Sequence, residues 1–172
     1  MDITRLIEDD HAEQRRLFAL IDDIPDPETG ALGAVWGRLR ALLDAHAEAE
    51  ERFFYPKLLK IGKGAADSDS DSAKDETKDA IKDHNEIRDA GTAVDKCKVG
   101  TKAWREAVAA ANKANSDHMA EEERQGLADF RQHGSLELRN ELGIRFAEFQ
   151  SNHLTGVKPV DKDPDGYVRD NS

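Results

Sequence analysis

Proline and glycine divide the chain into four long segments whose apolar residues recur at helical spacing. The first begins after Asp2, an expected N-cap, and ends before PDPETG at 25–30. The others cover about 31–61, 76–97 and 102–132, separated by GKGAADSDSDSAK at 62–74 and KVGT at 98–101. The acidic stretch at 62–74 offers nothing to bury, so we expect a mobile loop there. No stretch shows the alternation that predicts a strand.

These segments predict an all-α fold, an antiparallel up-and-down four-helix bundle within a domain of residues 1–153. Gly134 is typical of a helix end and Ser135 of a new N-cap, so an additional short C-terminal helix should follow and end near Asn152. The remaining residues, 154–172, are expected to form an irregular tail. A chain of 172 residues is long enough to bury a core as one domain.

Composition argues against several classes of partner. The formal net charge is -11, whereas nucleic acid and anionic membranes require basic surface. Cys97 is the only cysteine, so no intrachain disulfide is possible and a reducing compartment fits. The N-terminal residues lack the pattern of a secretory signal, and no stretch approaches the roughly 20 apolar residues of a membrane span. We therefore expect a cytoplasmic protein with small-molecule partners, and the sequence identifies no protein partner.

Each of the four bundle segments carries one histidine on its apolar face. These are His11, His46, His84 and His118. They are separated by 35, 38 and 34 residues, about a helix plus its turn, so a bundle can place all four at one level. Two of them begin a His-x-x-x-Glu pattern that ends at Glu50 and Glu122. The members of each pair are about 40° apart around a helix, so both side chains reach the same point between helices.

Four imidazoles and two carboxylates in an apolar interior predict a metal site. An unpaired carboxylate is costly there, and a cation is the simplest compensation. Imidazole with carboxylate and without thiolate suits iron, manganese or zinc, and carboxylates can bridge two ions. A single His-x-x-x-Glu pair is more often a helix-stabilising contact, but two pairs plus two further inward histidines favour metal binding.

Four neighbouring residues are not predicted to be ligands. Glu51 and Glu123 directly follow the paired glutamates but lie off the ligand angle, so we expect them beside the site. His133 and His153 lie near predicted helix C-termini, where the helix dipole favours a histidine, and we place both outside the site.

The order His, His-x-x-x-Glu, His, His-x-x-x-Glu, with HAEAEERFFYP at 46–56, resembles the hemerythrin-like family, also called the HHE cation-binding domain. The resemblance covers roughly residues 3–130. It implies that the four histidines are nitrogen ligands of two irons joined by an oxo or hydroxo group, and that Glu50 and Glu122 are bridging carboxylates. Oxygen-carrying hemerythrins have a second histidine four residues beyond the third-helix ligand, where this chain has Arg88. A coordination position is therefore open or differently filled.

Tyr55 is the candidate for that position. It lies nine residues after His46, which is the far face of a straight helix, but Pro56 can kink the chain. A tyrosine side chain leaning toward the N-terminus could cover much of the roughly 7 Å rise from Glu50. In the alternative, Tyr55 packs at the bundle end with its hydroxyl on water.

A tyrosine ligand would change the expected chemistry. Phenolate stabilises ferric iron, whereas reversible oxygen carriage requires a stable diferrous state. We therefore expect a catalase-like reaction with hydrogen peroxide, in which Arg88 either orients the peroxide anion or extends to solvent. The alternative is a protein that binds O2 or NO reversibly, or senses iron or redox state, without turnover. Iron storage fits poorly with one closed two-metal site.

Overall fold

The structure, a computed structural model, describes residues 1–64 and 72–172. Most of the acidic loop expected at 62–74 lies outside the described residues. Within them the chain forms α-helices and one π-helical turn and has no strand, which confirms the all-α prediction. The elements are α1 (Ile3–Asp23), α2 (Thr29–Ala49), the π turn (Glu50–Phe54), α3 (Tyr55–Ile61), α4 (Ala73–Asp95), α5 (Lys102–Arg124), α6 (Gly126–His133), α7 (Leu136–Asn152) and α8 (Pro164–Asn171). In this part of the chain, no helix has the length and apolar character needed to cross a membrane.

Side-chain hydrogen bonds cap the first turns of α1, α4 and α7. Asp2 accepts a hydrogen bond from the Thr4 N–H at 3.0 Å at the start of α1, as predicted. Ser135 caps α7 in the same way. At α4, Ser72 and Asp75 form a capping box, so this helix starts three residues before the predicted position 76.

Two segments predicted as continuous helices are interrupted. Between α2 and α3 the Tyr55 N–H bonds to the Glu50 carbonyl, five residues back, which makes the π turn. Pro56 lacks an N–H and its ring would clash with a carbonyl one α-turn earlier, so a wider turn before it accommodates the proline. The chain was expected to kink at Pro56, and the irregularity found there is this π turn. Gln125, with φ -107° and ψ -83°, separates α5 from α6.

The apolar core consists of two clusters with the histidine layer between them. On α4, Ile81 belongs to one cluster and Ile87 to the other, and His84 lies between. The same order holds on α1, where Ile7 and Leu17 flank the inward histidine. Each large apolar side chain that is fully buried contributes about 1.5–3 kcal/mol, so both sides of the polar layer are firmly packed.

The C-terminal region contains a helix where an irregular tail was expected. Residues 156–163 have no regular secondary structure, but Pro164–Asn171 is helical and packs along α4. Asp163 caps it by accepting from the Gly166 N–H at 3.0 Å. Pro164 occupies the first turn, where a missing N–H costs nothing. The prediction for 154–172 was therefore wrong in this part.

Candidate metal centre

The bundle brings the six predicted metal ligands into one buried layer. His11 lies on α1, His46 on α2, Glu50 at the start of the π turn, His84 on α4, and His118 and Glu122 on α5. Each of the six is at most 5% exposed. His133 and His153 are not part of the layer, since their Nδ1 atoms bond to Asp129 and to the Phe149 carbonyl within their own helices.

The ligand atoms form two groups that share Glu50. The four-ligand group contains His11, His46, Glu50 and Glu122, and the three-ligand group contains Glu50, His84 and His118. In each group the ligand atoms lie within 4.8 Å of one another. Glu50 Oε1 is 2.9 Å from His46 Nε2, and Glu50 Oε2 is 3.3 Å from His84 Nε2. One carboxylate thus presents an oxygen to each group, as a bridging ligand would.

Glu122 is placed differently from Glu50. Its Oε2 lies 3.3 Å from His11 Nε2, within the four-ligand group. Its Oε1 accepts a 2.6 Å hydrogen bond from the Tyr55 hydroxyl. Both glutamates were expected to bridge, but Glu122 belongs to one group only, so the site is asymmetric.

The inward-facing atoms fit a bound cation. Within the described residues, several of them are buried and have no hydrogen-bond partner: His11 Nε2, His46 Nε2, both oxygens of Glu50, and Glu122 Oε2. Buried polar atoms without partners are rare because leaving them unsatisfied costs free energy. Convergent imidazole nitrogens and carboxylate oxygens are donors that iron, manganese and zinc accept, so a metal ion would satisfy these atoms together.

The outward ring nitrogens face a second set of carboxylates. The Nδ1–carboxylate distances are 2.9 Å for His46–Asp10, 2.8 Å for His84–Glu51, 3.5 Å for His118–Asp83 and 2.9 Å for His11–Glu123. Each histidine contacts a carboxylate from the preceding bundle segment, so the four contacts close a ring around the bundle. Such an acceptor holds the proton on Nδ1, directs the Nε2 lone pair inward and increases its basicity.

Half of these outer carboxylates were predicted. Glu51 and Glu123 were expected beside the site, and the structure places them there. Asp10 and Asp83 were missed. The sequence signal for them is the dipeptide Asp-His at 10–11 and 83–84, but it is not specific, because it also occurs at 117–118, where Asp117 pairs with Lys113 instead. A residue next to an inward histidine is turned about 100° away and therefore faces the neighbouring helix.

The protein's own charges strongly shift the pKa values of three ligands, His46, Glu50 and His84. Burial lowers the pKa of His84, but the carboxylates of Glu50 and Glu51 outweigh it and raise the pKa to about 9. Burial has the same effect on His46, and Glu50 and Asp10 raise its pKa well above the ordinary value. Burial raises the pKa of Glu50, yet His46 and His84 hold it well below its usual range. A metal ion at this layer therefore competes with protons on the histidines.

The π turn brings Tyr55 to the site. Its extra residue places Tyr55 where an α-helix would have the fourth residue after Glu50, and so on the inward face. The Tyr55 ring is 1% exposed, which excludes the expectation of a hydroxyl on water. Burial and the charges of Glu122 and Glu50 raise the pKa of Tyr55 well above the usual value. The hydroxyl therefore stays protonated and donates a hydrogen bond to Glu122.

One of the two expectations for Arg88 was wrong. Arg88 is buried rather than extended to solvent. Its guanidinium donates to Glu51 Oε1 at 2.7 Å and to Asn85 Oδ1 at 3.2 Å. The guanidinium and His84 Nδ1 thus bind the same oxygen of Glu51, on the outer side of His84. That Arg88 orients a peroxide stays a prediction.

A small cavity adjoins the layer between α3, α4 and α5. Its volume is about 20 Å³, and Tyr55, His118 and Glu122 line its inner side. Asp79, Asp83 and Glu121 line it as well. A cavity of this size holds one water-sized molecule.

Comparison with known proteins agrees with this geometry. The sequence model of the Hemerythrin HHE cation binding domain matches residues 2–128. No match was found among curated proteins or among solved structures. The matched residues include all six inward ligands and the four outer carboxylates, whereas α7 and α8 lie beyond them. The chain therefore belongs to the hemerythrin family of HHE cation-binding domains, and its buried His/Glu layer is placed to bind a metal cofactor.

Proposed function

We propose that this chain is a non-haem di-iron protein that converts hydrogen peroxide to oxygen and water. The observation that carries the proposal is the asymmetry of the layer. One group offers four protein ligands, and the other offers Glu50, His84 and His118. A metal ion with three protein ligands retains positions for a small molecule. The cavity is lined by His118 of the three-ligand group and by Glu122 of the four-ligand group, so it adjoins both.

The donor set supports two irons joined by an oxo or hydroxo group. It combines imidazole with carboxylate, contains no thiolate, and has one carboxylate that reaches both groups. Two irons would supply the storage of two electrons that this reaction requires. In the balanced reaction, 2 H2O2 → O2 + 2 H2O, one peroxide loses two electrons and two protons and the other gains them. No outside reductant is needed.

The chain's own residues manage protons and exclude water. The Tyr55 hydroxyl, hydrogen-bonded to Glu122 at 2.6 Å, holds a proton at the inner wall of the cavity. Breaking the O–O bond requires protons on the departing oxygen, and a donor within reach accelerates such a step. The apolar clusters on both sides of the layer restrict bulk water. We assign Tyr55 this donor role in place of iron ligation.

A second candidate function uses the same layer. The cavity beside His118 and Glu122 would lead a diatomic ligand to the layer as it would peroxide. Reversible binding of O2 or NO, or sensing of iron or redox state without turnover, would require no proton delivery by Tyr55.

Oxygen release from peroxide tests the proposal. The protein is expressed with excess iron, its iron content and absorption spectrum are measured, and oxygen is followed with an electrode after peroxide is added. We expect two irons per chain and catalytic release, abolished in Glu50→Ala and reduced about 100-fold in Tyr55→Phe. His133→Gln is the matched control, because His133 lies outside the layer and bonds to Asp129. Circular dichroism checks the fold of each variant.

Other results would overturn the proposal. One tightly bound zinc without a charge-transfer band would exclude the di-iron centre. If the reduced protein instead forms a long-lived oxygen adduct that reverses under vacuum, and if it is inert to peroxide, the second candidate function is correct.

A further inference from the structure

The C-terminal segment contacts the carboxylate that holds His84. Lys162 Nζ forms an ion pair with the Glu51 carboxylate and a second one with Glu48 Oε2 at 2.9 Å. The Glu51 side chain is fully buried, whereas those of the other outer carboxylates, Asp10, Asp83 and Glu123, are 19%, 26% and 32% exposed. Water can therefore solvate the other three, but Glu51 depends on protein partners.

Those partners occupy both carboxylate oxygens of Glu51. Oε1 accepts from His84 Nδ1 at 2.8 Å and from Arg88 at 2.7 Å, and Oε2 is paired with Lys162. A buried carboxylate with a positive partner at each oxygen stays ionised and has one orientation. Its orientation sets that of the His84 ring.

The main chain of Glu51 is held by the same segment. The Tyr55 N–H is taken by the Glu50 carbonyl, and Pro56, the next residue, has no N–H. The Glu51 carbonyl therefore loses its helical donor at the π turn. The Tyr167 hydroxyl on α8 donates to this carbonyl.

Asn85, next to His84, fixes the register of the segment. Its Nδ2 donates to the Lys162 carbonyl at 2.8 Å, and the Lys162 N–H donates to Asn85 Oδ1 at 3.1 Å. Farther along, Lys78 pairs with Asp165 at 2.7 Å, which attaches α8 to α4 without touching the metal layer.

We propose that Lys162 and Tyr167 are positioning residues of the metal centre. Lys162 holds the Glu51 carboxylate, Tyr167 holds its carbonyl, and together they keep His84 and the π turn that carries Glu50 in the geometry of the three-ligand group. Both residues lie beyond the matched residues 2–128. The inference rests on metal binding by the layer and is independent of peroxide turnover.

A positioning role and a purely electrostatic role of Lys162 predict opposite effects on metal binding when Lys162 is removed. Lys162 is a positive charge near a cation site, so its removal by electrostatics alone would tighten metal binding. If Lys162 acts by fixing Glu51, its removal instead loosens His84 and weakens metal binding. Tyr167→Phe removes one hydroxyl and no charge, so it tests positioning without an electrostatic effect.

The test is iron release from the loaded, full-length protein to a chelator, followed by absorbance. In Lys162→Met and Tyr167→Phe we expect about half of the iron to leave roughly tenfold faster than in the original protein. Loss of a residue that supports a metal ligand from outside typically weakens metal affinity 10- to 100-fold. The ferric absorption band should shift in both variants. Lys162→Arg should restore the slow release, since it keeps charge and donor. Lys78→Met, the matched control, should release iron at the original rate.

Three results decide the matter. Melting of the metal-free variants at the original temperature, with faster iron release, supports a positioning role. Release from both variants at the original rate or slower overturns this inference and leaves the peroxide proposal standing. An original protein that takes up no iron overturns the metal centre and the inference together.

Discussion

Each of the four inward histidines is used at both ring nitrogens. At His46, for example, Nε2 faces Glu50 at 2.9 Å and Nδ1 faces Asp10 at 2.9 Å. An inward ligand atom and an outward partner leave the ring no free rotation. The strength of metal binding at this scale therefore depends on residues that never touch the metal.

We expect Asp10→Asn to weaken metal binding about tenfold. An amide oxygen can still accept from His46 Nδ1, but the lost negative charge makes the imidazole a poorer donor. Competition with a chelator of known affinity measures the change. Asp9→Asn is the control, since Asp9 is exposed on the same helix. Equal affinity for the two variants would contradict the role assigned to Asp10.

Proton release should accompany metal uptake at neutral pH. The pKa of His84 is raised to about 9 and that of His46 lies well above its usual value, so both hold protons at pH 7 unless a metal displaces them. Calorimetric titration in two buffers of different ionisation enthalpy counts the released protons. Their number should fall as the pH rises past about 9, and metal affinity should rise up to that pH. Uptake at pH 7 without proton release would show that the histidines are already neutral.

The helical elements show which local sequence signals are sufficient to predict a helix or a turn and which are not. Proline, glycine and capping residues predicted the bundle helices, and helix-length spacing predicted the inward ligands. Pro56 predicted a kink but not the π turn. The turn directs Tyr55 to its hydrogen bond with Glu122 on another helix, and local sequence does not show that contact. Helix α8 was missed because eight residues are too few to be helical alone, and this one is stabilised by packing on α4. Asp10 was missed because its partner lies on another helix.

Two glycines should respond to alanine in opposite directions. A Cβ at Gly143 of α7 would lie 2.6 Å from the Met1 carbonyl oxygen and 3.1 Å from the Ile3 nitrogen, so Gly143→Ala forces α7 and the N-terminus apart and should destabilise the protein by about 1–2 kcal/mol. At Gly37 on α2 nothing lies within 4 Å, and Gly37→Ala should stabilise it by about 0.5–1 kcal/mol. Urea denaturation measures both. Similar changes for the two would contradict the close approach of α7.

At the scale of the whole molecule, the polar layer couples metal binding to stability. The layer contains several ionisable groups between two apolar clusters. The raised histidine pKa values mean that proton-mediated stabilisation of the metal-free protein is fully present below about pH 6.5 and is lost as the pH rises through about 9. A bound metal would replace those protons, and its contribution to stability would not be lost over this pH range.

Metal removal should therefore lower the melting temperature, and more so at pH 9 than at pH 6.5. At a free metal concentration 100 times the dissociation constant, binding stabilises the folded state by about 2.7 kcal/mol, which corresponds to roughly 5–10 °C for a chain of this length. Thermal melts followed by circular dichroism, with and without chelator at both pH values, measure the difference. A melting temperature that is the same with and without metal would contradict the coupling.

The closed ring of histidine–carboxylate contacts makes the four bundle segments mutually dependent. Each segment supplies one nitrogen ligand and also the acid that orients the ligand of the next segment. Rotation of one helix about its axis would therefore disturb two of the four imidazoles, its own and its neighbour's. Two helices alone, or a bundle with one helix rotated, cannot assemble the complete set of ligands. Tight metal uptake would therefore distinguish the native bundle from misfolded bundles of similar shape.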